Sequence, residues 1–355
     1  MTLYVGETKV SNLDKKERYK MRNYTCTNDS KVSFDENTNQ INVETDIQAS
    51  CNIYFDIIKV QELCANASLA ECLINNYEIL GLTKINHSPT GNQKYSTTEY
   101  RFQGNNVNNY IRFNGDRLWR ILGVFEVETP TSSGTYRKEY KVKILSNTVI
   151  YERFADSTHT NNWNISRLKA LLNDGLYYYP EINESCTFDE CDYDDKGLIE
   201  TSKQYISKTK WYLGNVNNEI SAEEMYEEER SNNVWEGGIE TWDGNVGLIY
   251  PSDYMFASSE CYNDASKHGS SSSEINSYKD DTCIDSNWLS NGDAFWTISP
   301  YETYRSSVVS VFGEGIIDDV DAFDYSIQVK PTLYLKTSTS YQEGFGTENN
   351  PYVIR

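Results

Sequence analysis

The sequence predicts an α+β protein: a domain of short antiparallel strands carrying two or three helices, preceded by a small disulfide-stapled β module. Three observations lead there. Residues 109–125 (NYIRFNGDRLWRILGVF) hold two short apolar-alternating runs around an Asn114-Gly115-Asp116 turn, a strong local hairpin signal. Residues 164–173 (NISRLKALLN) and 221–230 (SAEEMYEEER) change to helical spacing. Eight cysteines fall in four sequence-local pairs.

The elements follow in chain order. Residues 1–20 are charged, carry little hydrophobic pattern and read as a linker or frayed start. Residues 21–56 alternate in short runs at 24–27, 31–34, 41–44 and 51–55, broken by turns at Asn28-Asp29 and Glu36-Asn37. A unit this small buries little core, so a Cys26–Cys51 staple between its first and last runs is physically sensible. Residues 57–97 form a helical connector and loop, with Val60, Leu63, Leu69, Cys72 and Leu73 at roughly helical spacing. On one straight helix Cys64 and Cys72 would stand about 12 Å apart, beyond disulfide reach. Either the chain turns at 65–68 or those two are not partners. The main domain, 98–355, opens at Glu99-Tyr100-Arg101-Phe102. Within it, Asn164 or Ser166 can cap the 164–173 helix, 196–212 reads as a second helical stretch, and Ser221 with Glu224 fits a capping box for the third. Beyond Trp235 come short strands between long polar loops, the longest at 258–286, and a glycine-turn-strand ending at 344–354 suited to pairing with an early strand.

Composition narrows the function class. The 355-residue chain is 38% hydrophobic and 24% charged, but 28 Tyr and 7 Trp argue against disorder. A net charge of −21, with no Lys/Arg stripe, sets the chain against nucleic acid and anionic membrane surfaces. No apolar run is long enough to span a bilayer, so no direct membrane insertion is expected. The cysteine pairs are Cys26 with Cys51, Cys64 with Cys72, Cys186 with Cys191 and Cys261 with Cys283. Eight cysteines allow about 105 connectivities, so the pairing is an expectation. Zinc-like CxxC or CxxH spacing is absent, and an even, local set favours disulfides and an oxidising compartment. An exported chain that starts abruptly on the polar sequence at Met1-Thr2-Leu3 is expected either to have lost a leader or anchor or to be a piece of a longer chain.

The hairpin at 109–125, followed in order by KVKIL (141–145), WYLG (211–214), VGLIYPSDY (246–254), FWTISP (295–300) and VKPTLYLK (329–336), resembles a family of secreted surface proteins of Gram-positive bacteria. Their core has a C-type-lectin-like fold, in the branch shared with formylglycine-generating enzymes. The resemblance spans roughly residues 98–354 and implies that the 110–125 hairpin pairs near 332–335. It also implies an extracellular or cell-surface location. The enzymes of that branch use two cysteines in the C-terminal part of the domain; residues 295–336 contain none, which argues against that activity.

Enzyme signatures such as GxSxG, HExxH and a Walker loop are absent. The acidic run DECDYDD (189–195) makes calcium the one cofactor worth weighing, with Asp189, Asp192 and Asp194 as weak ligand candidates; its spacing lacks the EF-hand pattern. The loop after FWTISP is aromatic and exposed in pattern, and Tyr301, Glu302, Tyr304 and Arg305, neighboured by Trp235 and Trp242, form the candidate ligand face. The expected function is an adhesin- or receptor-like protein, not an enzyme, that binds a glycan or protein on another cell or surface. The alternative is a structural subunit of a surface fibre or pilus; a glycan hydrolase is the weaker third.

Overall fold

The computed structural model describes residues 1–14, 17–35, 39–88, 96–155, 159–180, 196–217, 221–260, 281–313, 315 and 317–355. The chain is mostly β: strand accounts for 41% and helix for 15%, and the helices of the described residues run to eight residues or fewer. The expected α+β, C-type-lectin-like core is therefore corrected to a set of β-sheets with short helices set between them. The reason lies in the period of the sequence. Alternation continues through the 13-residue strand Leu118–Pro130 and the 11-residue strand Tyr136–Ser146, which form one long hairpin. The expected helix at 196–212 gives only one turn, Glu200–Lys203, before Thr209–Tyr212 goes into a strand. Its β-branched and aromatic residues fit a pleated surface better than a helix.

The central sheet runs in the order Val246–Gly247, Thr332–Tyr334, Tyr136–Ser146, Leu118–Pro130, Thr97–Phe102, Leu82–His87. Tyr110–Arg112 pairs with the start of Leu118–Pro130, in the register Trp119↔Ile111, so the sequence-local hairpin forms. It does not lie beside Thr332–Tyr334; Tyr136–Ser146 stands between them. Tyr352 bridges the hairpin from the C-terminal end, its N–H donating to Tyr110 O at 2.9 Å. A second sheet takes the order Ile150–Tyr151, Gln328–Val329, Phe295–Pro300, Ser307–Val311, Ile317–Asp321. One continuous apolar core joins both sheets, with Trp119, Trp163, Trp211 and Trp296 fully buried in it.

The N-terminal module has its own core of Leu3, Tyr19, Val32, Cys51, Ile53 and Phe55. Residues 1–20 are not simply a frayed start: Thr2–Val5 and Thr8–Val10 are strands, and Thr2–Val5 runs parallel to Cys51–Ile57. The Cys26–Cys51 disulfide closes the pairing of Tyr19–Cys26 with Cys51–Ile57. Cys64 and Cys72 are also bonded, with Cα atoms 4.8 Å apart. The chain turns between Val60–Leu63 and Leu69–Asn75, with Asn66 in the left-handed region at φ 62°, and Ser68 caps the second helix with Glu71. That turn removes the separation a straight helix would impose. Cys186, Cys191 and Cys261 and the side chain of Cys283 lie outside the described residues, as does most of the 258–286 loop.

Because the module and the main domain have separate cores, the Cys26–Cys51 bond stabilises the module in particular. Replacing both cysteines by serine is expected to cost the module about 2–5 kcal/mol. Hydrogen exchange should accelerate at Ile53 and Phe55 and stay unchanged at Ile144.

Candidate functional site

Thr97–Phe102 places Glu99 and Arg101 on one face, because side chains two apart on a strand point the same way. In register across the sheet, Arg101 stands opposite Gly123, Gly123 opposite Lys143, and Lys143 opposite Tyr334. Gly123 leaves no side chain between the two cations. A Cβ there would meet Tyr100 O at 2.2 Å, so the bulged strand needs glycine at this point. Asp253, on the short helix Pro251–Met255, takes up both charges: Arg101 Nη1 donates to its Oδ1 at 2.8 Å and Lys143 Nζ to its Oδ2. All three side chains are buried, as is Glu99, which receives Arg101 Nε at 2.8 Å.

Aromatic rings fill the space around these ions. Arg101 lies 4.6 Å from the Phe125 ring and 4.9 Å from that of Phe256. Lys143 Nζ stands 4.4 Å from the Tyr250 ring and 5.4 Å from Tyr334. Cations packed against ring faces keep an attraction that plain hydrocarbon would not supply. The network continues outward through His87, whose Nε2 lies 3.2 Å from Glu99 and whose Nδ1 lies 2.8 Å from the half-exposed Glu223. Burial alone would raise the pKa of Glu99, but Arg101, His87 and Arg230 outweigh it and hold the carboxyl well below the usual range. Burial would lower His87, yet Glu99 and Glu223 keep it raised. Burial lowers Lys143, with Asp253 pulling the other way.

The helix Ala222–Glu229 is capped by Ser221 and Glu224, as its sequence indicates, and closes one side of the site. Its C-terminus is seated where Gly214 N donates to Glu229 O at 3.0 Å. Tyr226 stacks on His87 at 3.7 Å and donates its hydroxyl to Glu99 Oε1 at 3.0 Å. The Arg230 guanidinium lies 3.4 Å from the Tyr226 ring centre, and its Nη1 donates to Tyr226 O at 3.0 Å and Glu229 Oε2 at 2.9 Å.

Above this floor is a cavity of about 420 Å³. Arg230, Tyr226, Tyr250 and Tyr334 form the inner wall, while Lys210 and Glu128 stand nearer the mouth. Glu128 accepts from Lys210 Nζ and from the Tyr212 hydroxyl at 3.1 Å. The Tyr334 hydroxyl has no hydrogen-bond partner among the described residues. The wall therefore offers ring surface, a cation and the Tyr334 hydroxyl, fixed from behind by ion pairs, while the Tyr226 and Tyr250 hydroxyls are taken up by Glu99 and by Tyr212 N. Glu99, held ionised, is unsuited to donating a proton.

The sequence-predicted face lies elsewhere. Tyr301, Glu302, Tyr304, Arg305 and Trp235 do come together: Trp235 Nε1 donates to Tyr301 O at 3.1 Å, and the rings of Tyr301 and Tyr304 are 5.9 Å apart. Tyr304 is 58% exposed, whereas Tyr301 is partly buried against the core. Arg305 Nη2 donates to Glu236 O at 2.9 Å, and Glu302 accepts from Asn217 Nδ2 at 2.9 Å. Asn161 Nδ2 pins the loop through the carbonyls of Tyr301, Tyr304 and Ser307. The cleft beside it holds only about 20 Å³, room for a water molecule. Trp242 does not join the group; it pairs with Trp211 and packs edge-on to Trp163 at 5.7 Å. Asp189, Asp192 and Asp194 lie outside the described residues. Among the described residues no group of three or more His, Cys, Asp or Glu is placed to hold a metal ion, and no helix is long and apolar enough to cross a membrane. Compared with protein-family models, curated proteins and solved structures, the chain finds no match.

The ion network was missed because its members sit inside motifs that read as core. The available signal was charge where alternation demands apolar residues: Arg101 in TEYRF, Lys143 in KVKIL, Asp253 in VGLIYPSDY.

Two further carboxyls set a pH dependence. Burial pushes Glu229 up to about 7 against the pull of Arg230, and burial with nearby Glu302 and Glu224 pushes Glu228 up to about 7. Both groups hold protons in the folded chain that the unfolded chain has released above about 4.5, so stability falls as pH rises from there to about 7. Glu228→Gln keeps an oxygen to accept from Asn217 N, now at 2.8 Å from Glu228. That variant is expected to melt higher than the parent at pH 8 and equally at pH 5, read by calorimetry across the range.

Proposed function

We propose that this chain is an extracellular or cell-surface binding protein that takes the end of a glycan into the cavity floored by Arg230, Tyr226, Tyr250 and Tyr334. The observation that carries the reading is the composition of that wall. A sugar presents apolar C–H faces and a fringe of hydroxyl groups, and its site needs rigid rings beside fixed donors and acceptors. Here the rings and the polar groups are the same residues, and the buried ion pairs behind them hold their rotamers. A volume of about 420 Å³ suits one or two sugar units. Two disulfides fit an oxidising compartment, which supports the location. The 301–307 loop, pinned by Asn161 and carrying exposed Tyr304, offers surface for a longer ligand but no comparable concavity.

A glycan array on the intact chain, followed by titration of the best ligand, tests this. Tyr334→Phe removes a hydroxyl without changing ring packing and should weaken binding about five-fold, on the order of 1 kcal/mol, at an unchanged melting temperature. Tyr304→Ala should bind as the parent does. Full affinity in Tyr334→Phe with loss in Tyr304→Ala would move the site to the 301–307 loop.

A further inference from the structure

We propose that the sugar taken by this cavity is an acidic one, its carboxylate seated on the Nε–Nη2 edge of Arg230, which carries no hydrogen bond among the described residues; the inference rests on the glycan reading above and names the class of glycan. Arginine reads a carboxylate through two parallel N–H donors on one edge of its planar fork. In Arg230 the donor committed within the chain is Nη1, which serves Tyr226 O and Glu229 Oε2. Nε and Nη2 make no hydrogen bond among the described residues, and Nη2 stands 3.9 Å from Glu99 Oε1. Nε and Nη2 form one edge of the fork, and the side chain keeps 14% of its surface while lining the cavity.

Except for the exposed Glu240, the carboxylates around the cavity are already committed. Glu99 Oε1 accepts from the Tyr226 hydroxyl at 3.0 Å, and its Oε2 is taken by Arg101 and His87. Glu229 accepts from Ser252 N at 2.9 Å and from Ser252 Oγ at 2.7 Å besides meeting Nη1. Nearer the mouth, Lys210 is matched by Glu128, and Lys138 by Glu126 at 3.7 Å. Within the inner wall, a guanidinium edge without a hydrogen-bonded acceptor is the feature that asks for an anion. The stacked Tyr226 ring holds the fork flat, so little freedom is lost when the second partner arrives. The chain's net charge of −21 works against long-range attraction of an acid, so recognition falls on this contact rather than on steering.

Isothermal titration of the intact chain with glucuronic acid, N-acetylneuraminic acid, the methyl ester of each, and neutral N-acetylglucosamine decides the matter. At least one free acid should bind tenfold or more tighter than its own ester and than the neutral sugar, and which acid does so separates uronic from sialic recognition. Arg230→Lys, which keeps the charge and loses the fork, should lower affinity for that acid tenfold or more and affinity for its ester by less, so that the acid-to-ester preference shrinks. Equal binding of acid and ester by the unaltered protein overturns the carboxylate assignment while leaving the glycan reading in place, and needs no variant that folds. No binding of any saccharide, on the array or in titration, overturns both.

Discussion

A single carboxylate, Asp253, organises the middle of this fold. It is buried between two cations from different strands of one sheet, Arg101 and Lys143, and it also accepts the N–H of Tyr250 at 2.9 Å. An isolated charge at such depth would be prohibitively costly, and so would either cation alone. Lys143 therefore depends on Asp253, while Arg101 is shared between Asp253 and Glu99. Their meeting requires that the strand between Arg101 and Lys143 carry no side chain where the two reach across, and Gly123 meets that requirement. Buried ion pairs of this kind seldom stabilise more than a well-packed apolar core would. What they supply here is position: they fix the short helix Pro251–Met255 against the long hairpin and, with Tyr250 and Tyr334 packed on Lys143, fix one wall of the cavity.

The second wall depends on the same economy of charge. Glu99 shares its carboxylate among Arg101, His87 and Tyr226, which ties the last two strands of the central sheet to the helix Ala222–Glu229. Arg230, at the end of that helix, completes the set; its Nη1 is hydrogen-bonded within the chain, while Nη2 stands 3.9 Å from Glu99 with no hydrogen bond among the described residues. The rigid part of the molecule thus ends in an open donor edge inside a concavity, which is the physical basis for reading it as a binding site. The raised carboxyls Glu228 and Glu229 belong to this helix too, so its fit against the sheet is the part of the structure most responsive to pH.

Much of the local structure could be read from residues. The Asn114-Gly115 turn, with Asn114 at φ 59° and Gly115 at φ 77°, the capping box of Ser221 and Glu224, and the Cys26–Cys51 staple all depend on neighbours close in sequence or on one pairing. The global fold could not, because short helical patterns such as 196–212 compete with tertiary pairing, and Trp211 finds a better partner in Trp242 than in a helix of its own. The site was hidden for a related reason. Its residues come from many separate stretches, and each ion taken alone looks like a misplaced polar residue in a strand. The exposed tyrosine loop advertised itself by composition, while Arg101, Lys143 and Asp253 acquire meaning only when the sheet register brings them to one point.

The dependence of the fold on that point is open to direct measurement by a double-mutant cycle on Lys143→Met and Asp253→Asn in denaturant unfolding. Asp253→Asn strands the buried Lys143, Lys143→Met leaves Asp253 with Arg101 as its one cation among the described residues, and each should cost about 3–5 kcal/mol. The double variant should cost less than the sum by about 2–3 kcal/mol, since the partner left behind by one change is removed by the other. Effects that add within about 0.5 kcal/mol would show that the two residues act independently and would contradict the account.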